Sequence, residues 1–146
     1  MKKILLIIKS IVAGIMATAS GKKWFILLLL SSNALAAPSR ALLDAIRQVE
    51  SGGRCVTGDS GRAVGVYQIH KVYVDDVNRI LGKKVYTYAD RTNEAKSRKM
   101  VELYLTHYGK GKSQLDMARI HNGGPDGHKK QATLKYAEKI KTCMIH

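Results

Sequence analysis

A chain of 146 residues supports one domain with a modest core and excludes a multidomain arrangement. Its 25 basic against 11 acidic side chains, a net of +14, imply an anionic partner: a wall polymer, a membrane surface or nucleic acid. Nothing interleaves aromatics with basic residues as a nucleic-acid site needs, and no Cys/His cluster has zinc-ligand spacing, so no nucleic acid, no metal and no other cofactor is expected.

The charge is uneven along the chain. Residues 1–36 hold Lys2, Lys3, Lys9, Lys22, Lys23 and no acid, which leaves 20 basic against 11 acidic groups, +9, on residues 37–146. Gly21-Lys22-Lys23, the apolar run Trp24 to Leu30 and Ala34-Leu35-Ala36 have the three-part layout of an export signal cleaved before Ala37. Upstream, Ile4 to Ala19 is a second apolar stretch interrupted by Lys9 and Gly14, so either the signal is long or translation starts at Met16. Neither run reaches the roughly 18 to 20 uninterrupted apolar residues of a spanning helix. The expectation is a signal over 1–36 and a secreted or periplasmic domain over 37–146, with no stable membrane span after cleavage and a monomeric state. In such an oxidising compartment the only two cysteines, Cys55 and Cys143, read as a disulfide staple worth about 4 kcal/mol in chain-entropy terms.

The rest of the chain is mostly helical in period. Ser39 is placed to cap a helix whose apolar face is Leu42, Ile46 and Val49, and Ser51-Gly52-Gly53 stops it just after Glu50. Gly58, Gly61 and Gly65 punctuate a loop or small hairpin, with strand expected over Arg62–Val64 and Val66–Ile69. A helix from Tyr73 to Leu81 ends at Gly82, and another runs from Thr92 to Gly109 with Val101, Tyr104, Leu105 and Tyr108 on one face. Ser113 and Asp116 have capping-box spacing ahead of a helix from Gln114 to His121 that stops at Asn122-Gly123-Gly124-Pro125. The last helix, about Ala132 to Thr142, packs Tyr136, Ile140 and Cys143. The fold class is mainly α (α+β), with about five helices and a small β-hairpin beside the first.

Glu50 and Asp59 stand nine positions apart, one at a helix end and one on a polar, glycine-rich turn. Two carboxyl groups so placed are able to flank a bond from opposite sides, the arrangement of acid-assisted glycosidic cleavage. A glycosidic oxygen leaves only when protonated, so one carboxyl must hold a proton near neutral pH. Burial against an apolar helix face and the negative end of the helix dipole are expected to raise Glu50 for that role, while Asp59 stays ionised.

Two segments carry a resemblance: Glu50-Ser51-Gly52-Gly53 through Gly65-Val66-Tyr67-Gln68-Ile69, and Ala118 to Gly127 with His121-Asn122-Gly123-Gly124-Pro125. Together they look like the invertebrate-type (destabilase-like) lysozymes and their bacterial relatives, within the lysozyme-like superfamily, over roughly Ala41 to Cys143. The first segment is shared across that superfamily; the second, in this order, makes the likeness specific. The resemblance implies a lysozyme-like fold, with Glu50 as general acid, Asp59 as second carboxylate, and Tyr67, Gln68, His121, Asn122 and Gly123 lining a sugar cleft. It implies peptidoglycan strands as substrate and a lysozyme-inhibitor protein as partner. The chain departs from the animal members in having two cysteines where they have many, and in a shorter stretch between Glu50 and Asp59.

The function so implied is an exported muramidase that hydrolyses the bond between N-acetylmuramic acid and N-acetylglucosamine. Two alternatives remain open at this stage. A lytic transglycosylase would use Glu50 alone and release 1,6-anhydro products; a cationic wall-binding protein would keep the fold without catalysis. No Ser/His/Lys arrangement for isopeptidase chemistry can be placed.

Overall fold

The computed structural model describes residues 37–145; the expected signal segment over 1–36 lies outside the described residues. The first helix, α1 (Arg40–Ser51), begins where Ser39 accepts a hydrogen bond from the Leu42 amide at 3.0 Å. It ends at Gly52, whose φ of 60° lets the chain turn left-handed while its amide and that of Gly53 cap the Gln48 and Arg47 carbonyls. Leu42 and Ile46 are fully buried on the inner face, and Val49 packs partly against them. Gln114 ties down the segment before α1, accepting from the Ser39 amide at 2.8 Å and donating to the Ala37 carbonyl at 3.1 Å.

The β element is smaller than expected and shifted. β1 (Thr57–Gly58) pairs antiparallel with β2 (Ala63–Val64), Thr57 opposite Val64, and a single bridge joins Val64 to Ile69. Val66 to Gln68 is a turn rather than the expected strand, because Gly65 (φ 85°) and Gln68 (φ 48°) both adopt left-handed backbone. Gly65 has a second constraint: a Cβ there would lie 1.9 Å from the Arg91 carbonyl oxygen. Arg91 is itself buried, donating to the Arg62 and Ile69 carbonyls at 3.1 Å and to the Tyr88 carbonyl at 2.7 Å, which locks the hairpin to the 3-10 turn Tyr88–Thr92. The guanidinium thus meets carbonyls that would otherwise be buried without donors.

α2 (Lys71–Ile80), α3 (Glu94–Tyr108), α4 (Gln114–Gly123) and α5 (Leu134–Ile145) complete the fold. Asn93 rather than Thr92 caps α3, accepting from the Lys96 amide. Ser113 caps α4 as expected, but the Asp116 carboxylate takes the Ser113 hydroxyl at 2.8 Å, as suits its short side chain. Two 3-10 turns, Gly127–Lys129 and Gln131–Thr133, fold back on α4 before α5 starts. α5 then lies against both α1 and α4, and Ile140 joins Met100, Leu105, Met117 and Ile120 in one fully buried core. The observed class is the expected one, mainly helical with a small antiparallel sheet beside α1. No helix among the described residues is long and apolar enough to cross a membrane.

The expected staple is absent: Cys55 and Cys143 are both free thiols and both exposed. Cys143 borders a hollow with Ala41, Asp44, Ala45 and Gln48 of α1, whereas Cys55 follows the far end of that helix, its Sγ 3.6 Å from the Thr92 carbonyl oxygen.

Candidate active site

One cleft, of about 520 Å³, is lined by both carboxylates. Glu50 enters from the end of α1, Asp59 from the turn between β1 and β2, and His121 and Asn122 from the end of α4. Tyr73 and Asp76 of α2 and Tyr104 of α3 also line the cleft, the Tyr73 and Tyr104 rings stacked with centroids 3.9 Å apart.

Glu50 is the more enclosed carboxylate, its side chain 18% exposed. Tyr136 of α5 donates a hydrogen bond of 2.7 Å to Oε1, and His121 Nε2 lies 3.5 Å from the same oxygen. The far nitrogen of that ring, Nδ1, is 3.3 Å from the Tyr73 hydroxyl. Burial is the largest single influence on Glu50 and pushes its carboxyl up. The His121 hydrogen bond and charge, the Tyr136 hydroxyl and the His70 charge pull the other way and prevail, so Glu50 lies below its ordinary value. This reverses the expectation of a raised carboxyl, because the wall beside Glu50 carries donors that the apolar periodicity of α1 does not reveal. Burial likewise pushes the Tyr136 hydroxyl far up, with the Glu50 charge adding to it, so Tyr136 is a neutral donor.

Asp59 is differently held. Oδ1 pairs with Arg62 at 2.6 Å and Oδ2 faces His70 Nε2 at 3.3 Å. Asp59 and Ser60 both have positive φ, 48° and 54°, a conformation that costs non-glycine residues free energy and marks a constrained turn. Arg62 stabilises that turn, its backbone amide and Nε both donating to the Asp59 carbonyl.

The other residues singled out in the sequence separate into two groups. Gln68, His121 and Asn122 line the cleft. The Gln68 amide braces the turn, donating to the Val56 carbonyl at 3.0 Å and the Gly65 carbonyl at 2.9 Å. Tyr67 does not reach the cleft: it is wholly buried in the core, with its hydroxyl 3.3 Å from Arg98. It points inward because its neighbour Gln68 points out. Gly123 also lies off the cleft lining, where a Cβ would press to 2.7 Å against the Thr133 methyl. Tyr136, Tyr73 and His70 were not anticipated as site residues. A tyrosine on an otherwise buried helix face needs a partner for its hydroxyl, and that was the available signal for Tyr136.

No family model and no curated protein matches this chain. Solved structures do. The chain is similar to the lysozyme of Meretrix lusoria bound to an inhibitor, at 30% identity and a TM-score of 0.61, over 71% of this chain and 88% of that one. It is similar to the Tapes japonica lysozyme at 30% identity and a TM-score of 0.59, over 70% and 88% of the two chains. A third match, at 28% identity and a TM-score of 0.61, is to the structure of Aeromonas hydrophila PliI in complex with Meretrix lusoria lysozyme.

Proposed function

The chain belongs to the invertebrate-type lysozyme family, and from that premise we propose that it is a muramidase, hydrolysing the N-acetylmuramic acid to N-acetylglucosamine bond of peptidoglycan. One observation carries the reading: Glu50 and Asp59, from separate elements, line the same cleft of about 520 Å³.

Glu50 is the general acid. Both of its contacts fall on Oε1, so Oε2 is the oxygen available to a glycosidic oxygen. The ionised form of Glu50 is favoured by the contacts from His121 and Tyr136. A sugar seated over Glu50 expels water, and lower polarity disfavours the charged carboxylate relative to the neutral acid. Binding therefore favours the protonated Glu50 that the leaving group needs. Asp59, paired with Arg62 at 2.6 Å, faces the developing oxocarbenium charge, as nucleophile or as base for water.

A second reading has one observation in its favour. Both Asp59 oxygens are already engaged, by the Arg62 guanidinium and the His70 imidazole, which suits a transglycosylase that uses Glu50 alone. Digestion of purified peptidoglycan by the domain from Ala37 onward, with products identified by mass, separates the readings. Reducing-end muramic products lost in both Glu50→Gln and Asp59→Asn support hydrolysis. Anhydro products lost only in Glu50→Gln support transglycosylation, and no products from the native domain would leave a wall-binding protein. Export by residues 1–36 and sensitivity to an inhibitor protein of the PliI kind belong to the same proposal, the latter supported by the matched complex.

A further inference from the structure

Beyond Asp59 the cleft opens into a side pocket of about 360 Å³ lined by Ser60, Gly61, Arg62, His70, Lys71 and Val72. We propose that this pocket is a carboxylate subsite, which takes the acidic substituent carried by the muramic acid residues of the glycan. The inference rests on the muramidase reading and adds the chemical feature of the substrate that the site selects.

Continuity is the first argument. His70 and Val72 line both the cleft and the pocket, so a glycan lying along the cleft can place a side group in the pocket. Charge is the second. Arg62 and Lys71 are permanent cations and His70 adds a third when protonated, against the single carboxylate of Asp59, which Arg62 already neutralises at 2.6 Å. Lys71 is left over, its ammonium resting 5.3 Å from the centroid of the Tyr88 ring and not on a carboxylate. Asp75, one turn further along α2, is taken up by the Tyr88 hydroxyl at 3.0 Å. Access is the third: a Cβ built on Gly61 would meet nothing within 4 Å, so the rim is open.

The chemistry names the ligand. A glycan of N-acetylglucosamine alone is uncharged. N-acetylmuramic acid adds a lactyl ether whose carboxyl is either free or joined to a peptide bearing carboxylates of its own. A cationic pocket next to the reacting bond distinguishes such a strand from an uncharged one, with Lys71 free to pair with the substituent.

The test is binding by the Glu50→Gln protein, which holds glycan without cleaving it, measured calorimetrically against four tetrasaccharides. These are stem-bearing peptidoglycan, the same strand with stems removed and the lactyl carboxylate free, its methyl ester, and chitotetraose. The expected order is both carboxylate forms tighter than the ester and chitotetraose. Adding Lys71→Gln should narrow that gap by about two- to fivefold, the weight of one exposed ion pair, and Lys71→Arg should restore it. If the stem-bearing strand alone gains affinity, the pocket reads the peptide; if the stem-free strand gains equally, it reads the lactyl group. Equal affinity for acid and ester, or a gap that Lys71→Gln leaves intact, overturns the proposal. Binding of none of the four overturns both the subsite and the muramidase reading. Carboxylate-selective binding by a protein whose native form cleaves nothing keeps the subsite and rejects only the catalytic reading.

Discussion

Tyr136 in the last helix donates a 2.7 Å hydrogen bond to Oε1 of Glu50 at the end of the first, joining residues 86 positions apart. With His121 on the same oxygen, this bond anchors one edge of the carboxylate and favours its ionised form. Tyr136→Phe removes a donor to the ionised form only, so the Glu50 pKa should rise. The alkaline limb of the activity profile should then move to higher pH, as the acid keeps its proton longer. The fold should lose about 1 kcal/mol, the usual weight of one buried hydrogen bond. Titration of Glu50 by carboxyl NMR, alongside a pH–rate profile, checks both; an unmoved or lowered pKa would break the link.

Stability should decline in acid for a reason that can be assigned. The Lys96 hydrogen bond, followed by bonds from the Thr87 amide and hydroxyl, lowers Asp90 from 3.8 to about 2. A carboxyl lower in the folded state stabilises above its unfolded pKa and loses that contribution as pH falls through the folded one. Asp90→Asn should therefore be destabilising at pH 7 and close to neutral at pH 2. Urea unfolding at the two pH values tests it, and an equal difference at both would reject the assignment.

Gly65 and Gly82 both have positive φ, 85° and 67°, but only Gly65 faces an obstacle. Gly82→Ala meets nothing within 4 Å and should cost about 1 kcal/mol from backbone strain alone. Gly65→Ala drives a methyl into the Arg91 carbonyl and should cost more than about 2 kcal/mol, with activity falling as the Asp59 turn shifts. Thermal unfolding of the two variants side by side should show that order, and a reversal would mean that the contact at Arg91 relaxes freely.

Free, exposed thiols make a chemical prediction. Cys55 and Cys143 should both alkylate in the native protein, and reductant should leave the melting temperature unchanged. Cys55→Ser with Cys143→Ser should stay within about 0.5 kcal/mol of the parent, as for other surface changes. Resistance of both thiols to alkylation would restore the staple.

Some of this was legible in the chain. Ser39, the Leu42–Ile46–Val49 spacing and the Gly52-Gly53 stop determine a helix that ends just past Glu50, because caps and periodicity are local. The same locality makes the stop after Asn122 readable and puts Gln68 at the cleft, whereas Tyr67, expected beside it, is buried in the core. The β pairing was misplaced by several residues, since Gly65 is committed to a turn by Arg91, a residue that no local pattern connects to it.

What the sequence by itself determined was therefore the set of helices and the identity of two carboxyl groups, through caps, stops and spacing. Tertiary structure alone decided their electrostatic state and the state of the cysteines. Glu50 lies low because α4 and α5 bring His121 and Tyr136 onto one of its oxygens, and Asp59 is clamped because α2 begins with His70 facing it. Cys143 lies beside α1 and Cys55 beside the Thr92 carbonyl, each a free, exposed thiol. Such outcomes depend on which distant side chains the packing brings within about 4 Å, the range over which hydrogen bonds and charge set a pKa.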